Sequence, residues 1–151
     1  SMEIEFPYMV EQYTLVPDSG GPGKFRGGLS MRKDIRVLGH DSQFTIKADR
    51  QKTPPWGLFG GRPGLPGVIT IYPGTEQEAV IDSKKSGTTL KANGVLRCQM
   101  PGAGGYGDPM ERDRALIVHD LEEGYITPES ALRDYGLTED ELEQIDVFGK
   151  V

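Results

Sequence analysis

Few side chains in this sequence of 151 residues stand at spacings that could do chemistry. Asp18-Ser19-Gly20-Gly21 has the form of a hydrolytic serine, but such a nucleophile needs a histidine to take its proton. The two histidines, His40 and His119, are each followed by an aspartate, and sequence neighbours point apart in a turn or a helix. Ser19 is therefore read as a turn residue, His40 as a surface turn and His119 as helix surface or tail packing. The lone Cys98 excludes a disulfide framework and a cysteine zinc site. It falls on the same side of an apolar run as Leu96 and Met100, which makes it a buried structural thiol. Gly102, Gly104 and Gly107 match G-x-G-x-x-G formally, yet a proline-opened helix follows, with no βαβ unit and no ribose-binding acid. No complete catalytic constellation is visible, and no metal-ligand set.

Three glycine-rich segments then need an explanation: Pro17 to Gly28, Pro54 to Gly67 and Pro101 to Pro109. None is a phosphate loop, because no Gly-Lys-Ser/Thr follows the glycines. One reading is architectural: backbone that must adopt positive φ or approach another strand closely. The other is an anion- or carbonyl-binding rim of backbone N–H groups with Lys24, Arg26 or Arg62 beside it. Trp56, Phe59 and Tyr106 are interleaved with these glycines, which points to an interface or a shared cavity.

The elements that position these segments follow from periodicity. Leu29 to Val37 and Gln43 to Ala48 alternate apolar and polar around Gly39-His40-Asp41-Ser42, which predicts a hairpin with one wet face. Val68 to Tyr72 is nearly continuous in β-formers and predicts a more central strand; Glu11 to Val16, Ala79 to Ile81 and Val95 to Met100 are further strands. Asp108-Pro109-Met110-Glu111, Thr127-Pro128 and Thr138-Glu139-Asp140-Glu141 are helix starts. The first helix is predicted over Glu111 to Glu123, burying Ala115, Leu116, Val118 and Leu121; the second buries Ala131, Leu132 and Tyr135, and the third Leu142 and Ile145. The fold class expected is α+β, mainly antiparallel β, sandwich- or barrel-like, with a C-terminal tail of two to three short helices. Residues 3–107 form the glycine-rich β domain, and 108–151 an acidic helical tail packed on it as one structural unit.

Composition agrees. Glycine (21) and proline (11) make up about a fifth of the chain, short of the proportion at which a non-periodic chain is disordered, while 36% hydrophobic residues can fill a core. Eighteen of the 21 glycines lie between Gly20 and Gly107, without a continuous G-X-Y repeat, so collagen is excluded. Of 23 acids and 17 bases, 12 and 4 lie from Met110 onward, leaving that tail at −8 and the rest of the chain at +2. Neither part binds nucleic acid or an anionic membrane non-specifically. No apolar run approaches a membrane span and no signal peptide opens the sequence, so a cytoplasmic location is expected. Ser1-Met2 reads as a cleavage scar, which would place the natural start earlier.

Four blocks stand in order along the chain: Pro17-Asp18-Ser19-Gly20-Gly21 through Phe25-Arg26-Gly27-Gly28, and Asp49-Arg50 with Pro54-Pro55-Trp56-Gly57-Leu58-Phe59-Gly60-Gly61. Pro101 to Pro109 is the third; Glu123 to Glu129 with Arg133-Asp134-Tyr135-Gly136 closes the set. Together they resemble the C-terminal region of the hydantoinase B/oxoprolinase family. The resemblance covers roughly Pro7 to Leu137, and Arg62 departs from it where relatives continue the glycine run.

The resemblance implies a B-type subunit of an ATP-dependent cyclic-amide hydrolase, acting on hydantoin, 5-oxoproline or a lactam. The alternatives are a related subunit of an acetone- or acetophenone-type carboxylase, or a non-catalytic assembly domain. It further implies an A-type, ATP-binding partner that phosphorylates the amide oxygen, and a divalent metal in the full enzyme. The metal and catalytic residues of the family lie toward the N-terminal part of much longer chains, so none is carried over and no cofactor is assigned to this chain, which is expected to be inactive alone. Asp49, Arg50, Trp56, Gly60 and Gly61 match a family block and are the candidates for lining the substrate side or a subunit interface.

Overall fold

The computed structural model describes residues 2–145; Ser1 and residues 146–151, the end of the acidic tail, lie outside the described residues. Backbone contacts sort the chain into two compact units built from interleaved segments. The first comprises the residues up to Thr14, Met31–Thr53 and Pro66–Pro101; the second comprises Leu15–Ser30, Pro54–Leu65 and the chain from Gly102 onward.

The first unit carries the sheets. A short helix α1 (Met2–Glu5) leads into β1 (Tyr8–Leu15), followed by β2 (Met31–Val37), β3 (Ser42–Lys47), β4 (Val68–Ile71), β5 (Ala79–Ile81), β6 (Lys84–Leu90) and β7 (Val95–Gln99). Five strands form one sheet in the order β1-β2-β7-β4-β5, and β3 pairs with β6 in a second. The β2–β7, β4–β7, β4–β5 and β3–β6 pairs are all antiparallel. Ile46 of β3 is buried against Ile69 and Ile81, with Phe44, Ile71, Leu96 and Cys98 packed around them. That cluster joins the two sheets face to face, and the sheets do not close into a barrel.

All the predicted strands form, but the predicted hairpin does not. The connection after β2 carries the chain from one sheet to the other: β2 pairs with β7 in the register Asp34↔Arg97, and β3 pairs with β6. Gly39 turns the chain at φ +69, and the Ser42 hydroxyl and the Leu38 carbonyl hold the His40 ring at 3.0 and 2.8 Å. Alternation identifies a half-buried strand without naming its partner. Strand β6 (KKSGTTL) carries no such alternation and has no counterpart among the predicted strands.

In the second unit the three glycine-rich segments lie against one another as extended backbone. Gly102 and Gly105 donate N–H bonds to the Leu65 and Arg62 carbonyls, both at 2.9 Å. Leu65 and Arg62 in turn donate to Ser19 and Pro22, at 2.9 and 2.8 Å, while Ala103 and Tyr106 donate to Gly28 and Phe25, at 2.9 Å each. Every such pair steps three residues on both partners, the repeat of a polyproline-II turn, which has no hydrogen bonds of its own and must find them next door. A Cβ on Gly27, Gly61, Gly102 or Gly104 would meet the carbonyl of Ala103, Gly105, Ser19 or Trp56 inside the 3.0 Å that real Cβ atoms respect. The ladder therefore admits only hydrogen at these positions.

The same unit holds a 3-10 turn (Pro109–Glu111) and the helices α2 (Arg114–Glu122), α3 (Pro128–Tyr135) and α4 (Glu139–Gln144). The predicted first helix is split in two. Asp108 caps the 3-10 turn through Met110 N–H, Arg112 returns to extended backbone, and Asp113 caps α2 through Ala115 N–H. The buried side of α2 also differs: Ile117, Asp120 and Leu121 face inward, while Leu116 is exposed. Thr127 and Thr138 cap α3 and α4 as read from sequence, the latter in a reciprocal capping box with Glu141. Ile117, Leu121, Ile126, Ala131, Tyr135, Leu137 and Leu142 form the core of the three helices. No described helix is long and apolar enough to cross a membrane.

Candidate functional site

The partners of the polar groups in the glycine segments decide between rim and architecture. Ser19 is fully buried; its hydroxyl donates to the Val16 carbonyl at 2.5 Å and accepts from Ser30 N–H at 2.7 Å. It is a backbone clasp rather than a nucleophile. Asp18, at φ +59, accepts from both the N–H and the hydroxyl of Thr127 at 2.9 and 2.7 Å, fixing the first segment to the start of α3.

The three basic residues of these segments all hold the helical layer. Arg26 grips Asp120 of α2 with two nitrogens, at 2.9 and 3.1 Å, and Arg112 adds a third bond to the same carboxylate at 2.8 Å. Asp120 is only 2% exposed, so three charge-assisted bonds replace its water. Arg62 pairs with Asp134 at 2.8 Å, and Lys24 with Glu111 at 3.4 Å. The guanidinium groups of Arg26 and Arg112 also lie over the Tyr125 and Tyr135 rings. Burial pushes the Tyr135 hydroxyl up to about 12, against the opposing pull of the two arginines. With N–H groups in the ladder and cations in ion pairs, the arrangement favours architecture over an anion-binding rim.

What the ladder presents to solvent is aromatic. Phe25 and Tyr106 form an antiparallel bridge, and Leu58 bridges Tyr106 on a neighbouring segment. The Tyr106 ring stands 6.2 Å from Phe25 and 5.1 Å from Phe59, both tilted. Phe59 is 78% exposed, Phe25 58% and Tyr106 47%. Phe59 sits at φ +49, a left-handed backbone unusual for a bulky side chain, and Gly60 follows at φ +93.

The five candidate positions divide between the units. Trp56, Gly60 and Gly61 belong to the second: Trp56 is exposed, its carbonyl is the atom that closes over Gly104, and Gly61 is a ladder position. Asp49 and Arg50 belong to the first, at the edge of a cavity of about 500 Å3. Its apolar wall is Phe44, Ile69, Leu96 and Cys98, and Gln51 adjoins Arg50 on the rim. The volume suits a small molecule, and the wall is apolar as in most ligand sites. Arg50 lies at φ +63, and its carbonyl accepts from Gly67 N–H at 3.1 Å. Among the described residues the buried Gln51 amide nitrogen has no hydrogen-bond partner. Strained backbone and an unpaired buried donor are both features that concentrate at functional sites. Gln51 escaped the sequence reading, since an isolated glutamine has no spacing to betray it; Phe25 was visible only as part of a motif.

Cys98, on the cavity wall, has its thiol pushed up by burial, with Lys33 opposing and Asp34 reinforcing the shift. Among the described residues no three His, Cys, Asp or Glu side chains lie together as a metal site would require, so no step through a metal is derived from this chain.

The profile of the family described as hydantoinase B/oxoprolinase matches residues 1–109. An uncharacterized protein of Methanocaldococcus jannaschii is 40% identical over 134 residues, which are 89% of this chain and 23% of that protein. The caprolactamase subunit beta of Pseudomonas jessenii is 29% identical over 150 residues, 96% of this chain and 26% of that subunit. The crystal structure of ATP-dependent caprolactamase from the same organism superposes with a TM-score of 0.83 at 26% identity, over 95% of this chain and 25% of its own. A 5-oxoprolinase of Dictyostelium discoideum is 31% identical over 108 residues, 70% of this chain and 8% of that enzyme. The chain thus spans about a quarter of the length of the first relatives it matches.

Proposed function

The chain belongs to the hydantoinase B/oxoprolinase family, and from that premise we propose that it is the C-terminal part of a B-type subunit in an ATP-dependent hydrolase of cyclic amides. The observation that carries this reading is the superposition on ATP-dependent caprolactamase, which extends over both units and nearly the whole chain. The reaction is the opening of a hydantoin, 5-oxoproline or lactam ring. An amide is a poor electrophile; transfer of the terminal phosphoryl group of ATP to its oxygen, on an A-type partner subunit, makes the carbon open to water. Water adds to that carbon and the ring C–N bond breaks with a proton going to nitrogen, which leaves a ring-opened acyl phosphate. A second water cleaves that acyl phosphate, and the products are the ring-opened acid, ADP and phosphate.

In this scheme the chain's own residues bind and position rather than react. Asp49 and Arg50, with the Gln51 amide beside them, border a small apolar cavity whose wall would take the hydrocarbon part of a lactam. Trp56, Gly60 and Gly61 belong to the ladder and the exposed surface it supports, and serve assembly. A half-buried thiol and the use of ATP both suit the cytoplasm.

The test is the full-length subunit together with its A-type partner, assayed for ADP release coupled to ring opening of hydantoin, 5-oxoproline and caprolactam. A parallel assay uses acetone with bicarbonate. Coupled ring opening by the pair and none by the 151-residue chain is the expected result. Carboxylation alone, or turnover by the 151-residue chain without a partner, would sink the proposal.

A further inference from the structure

We infer that the exposed aromatic face of Phe25, Phe59 and Tyr106 is an internal interface, covered by the remaining polypeptide of the longer B-type subunit. Isolated apolar side chains on a surface are ordinary, but a Tyr106 ring flanked by Phe25 on one side and Phe59 on another, with exposed Leu58 on the bridged segment, is not. The face is also rigid. Phe25 and Tyr106 exchange backbone bonds at 2.9 Å in both directions, and Leu58 N–H and Gly107 N–H bond to Gly105 and Leu58 at 2.9 Å. Rings mounted on such backbone lose little freedom when covered, which is how binding hot spots are built.

The chemistry of the occupant follows from how the charges beside the rings are engaged. Lys24 is bound to Glu111, Arg26 to Asp120 and Arg62 to Asp134, and the exposed Asp108 carboxylate caps the 3-10 turn through Met110 N–H. An aromatic centre whose neighbouring charges are engaged at its rim is closer in composition to a permanent interface, a core cut in half, than to a transient one. Two observations favour a tethered occupant over a separate protein. The matched relatives extend roughly three times further than the part shared with this chain, which covers 23 to 26% of them. All three rings also fall inside the stretch matched by the family profile, whereas α2, α3 and α4 lie beyond it. A covalently linked partner acts at an effective concentration in the millimolar range, enough to keep such a face covered.

The inference rests on the B-type reading, and its test avoids turnover so that the two can fail separately. Hydroxyl-radical footprinting would compare the 151-residue chain with the full-length B-type subunit purified without its partner. Labelling of Phe25, Phe59 and Tyr106 is expected to fall at least about tenfold in the longer subunit, with buried Tyr135 protected in both. Protection that appears only when the A-type subunit is added assigns the face to that partner and overturns the inference. So does protection in the 151-residue chain through self-association, and so does equal labelling throughout. The double variant Phe59→Ser, Tyr106→Ser provides a second reading. It should leave the Tm of the 151-residue chain within about 2 °C while lowering that of the longer subunit by about 5 °C or more. The same shift in both proteins would overturn the inference.

Discussion

Gly104 lies directly beneath the carbonyl oxygen of Trp56, closer than any side-chain carbon could come. Its φ is not in the left-handed region, so the exclusion is steric and comes from a neighbouring segment rather than from the backbone's own preference.

Gly104→Ala should therefore destabilise the chain by about 3–5 kcal/mol, the upper range for single substitutions. Gly28→Ala is the matched control. Its Cβ would meet only the Ala103 methyl at 4.0 Å, so its effect should lie within about 1 kcal/mol, with stabilisation possible through the unfolded state. Urea unfolding of both variants checks the pair, and equal effects would mean that the ladder is not what selects glycine.

Asp120→Ala leaves Arg26 and Arg112 facing each other without their common anion. Removing one partner from a buried ionic group costs about 3–5 kcal/mol. Arg62→Ala, which removes a half-exposed partner from Asp134, should cost no more than about 1 kcal/mol. Thermal unfolding of the two variants should rank them in that order.

Burial alone would raise the Asp34 carboxyl, but hydrogen bonds and charge from Arg32 and Arg97 outweigh it and hold the group below its ordinary value. A depressed folded value means stability that is present above the unfolded value, about 3.9, and lost as the pH falls below it through the folded one. The wild-type urea midpoint should thus drop as acid is added below about pH 4. Asp34→Asn should be less stable at neutral pH and show a shallower drop. A variant that follows the wild-type slope would remove Asp34 as the titrating group.

Arg50 occupies a left-handed backbone position that glycine adopts at no steric cost. Arg50→Gly should keep stability within about 1 kcal/mol, relief of strain offsetting the glycine's extra freedom in the unfolded chain. In the full enzyme the same change should cut turnover at least about tenfold if Arg50 lines the substrate side. Unchanged kcat and KM would assign it to the turn alone.

Most elements were legible because their causes are local. Thr127-Pro128, Thr138 with Glu141, and Gly136 at φ +64 cap helices through contacts a few residues away, and these ends stand where the sequence put them. The alternation in β2 and β3 gave both strands. Pairing was not legible: nothing in Met31 to Val37 says that Asp34 will meet Arg97, 63 residues on. The inward face of α2 was misjudged for the same reason, since Asp120 reads as surface until Arg26, 94 residues earlier, is known to reach it. At the candidate site, residue types and family blocks pointed to Asp49, Arg50 and Trp56, whereas cavity, strain and ring contacts are properties of folded backbone.

The three-residue ladder has a thermodynamic corollary. Its interior consists of peptide groups meeting peptide groups, where most domains of this size bring hydrocarbon together. Melting it exposes polar surface, which lowers the heat capacity of the unfolded chain, while melting the sheets or the helical core exposes apolar surface, which raises it. The ladder should consequently flatten the temperature dependence of stability for the unit that contains it. Its resistance to cold should exceed what the chain's length alone would suggest, and differential scanning calorimetry would register this as a per-residue heat-capacity increment below the ~12–15 cal/mol/K of ordinary globular proteins.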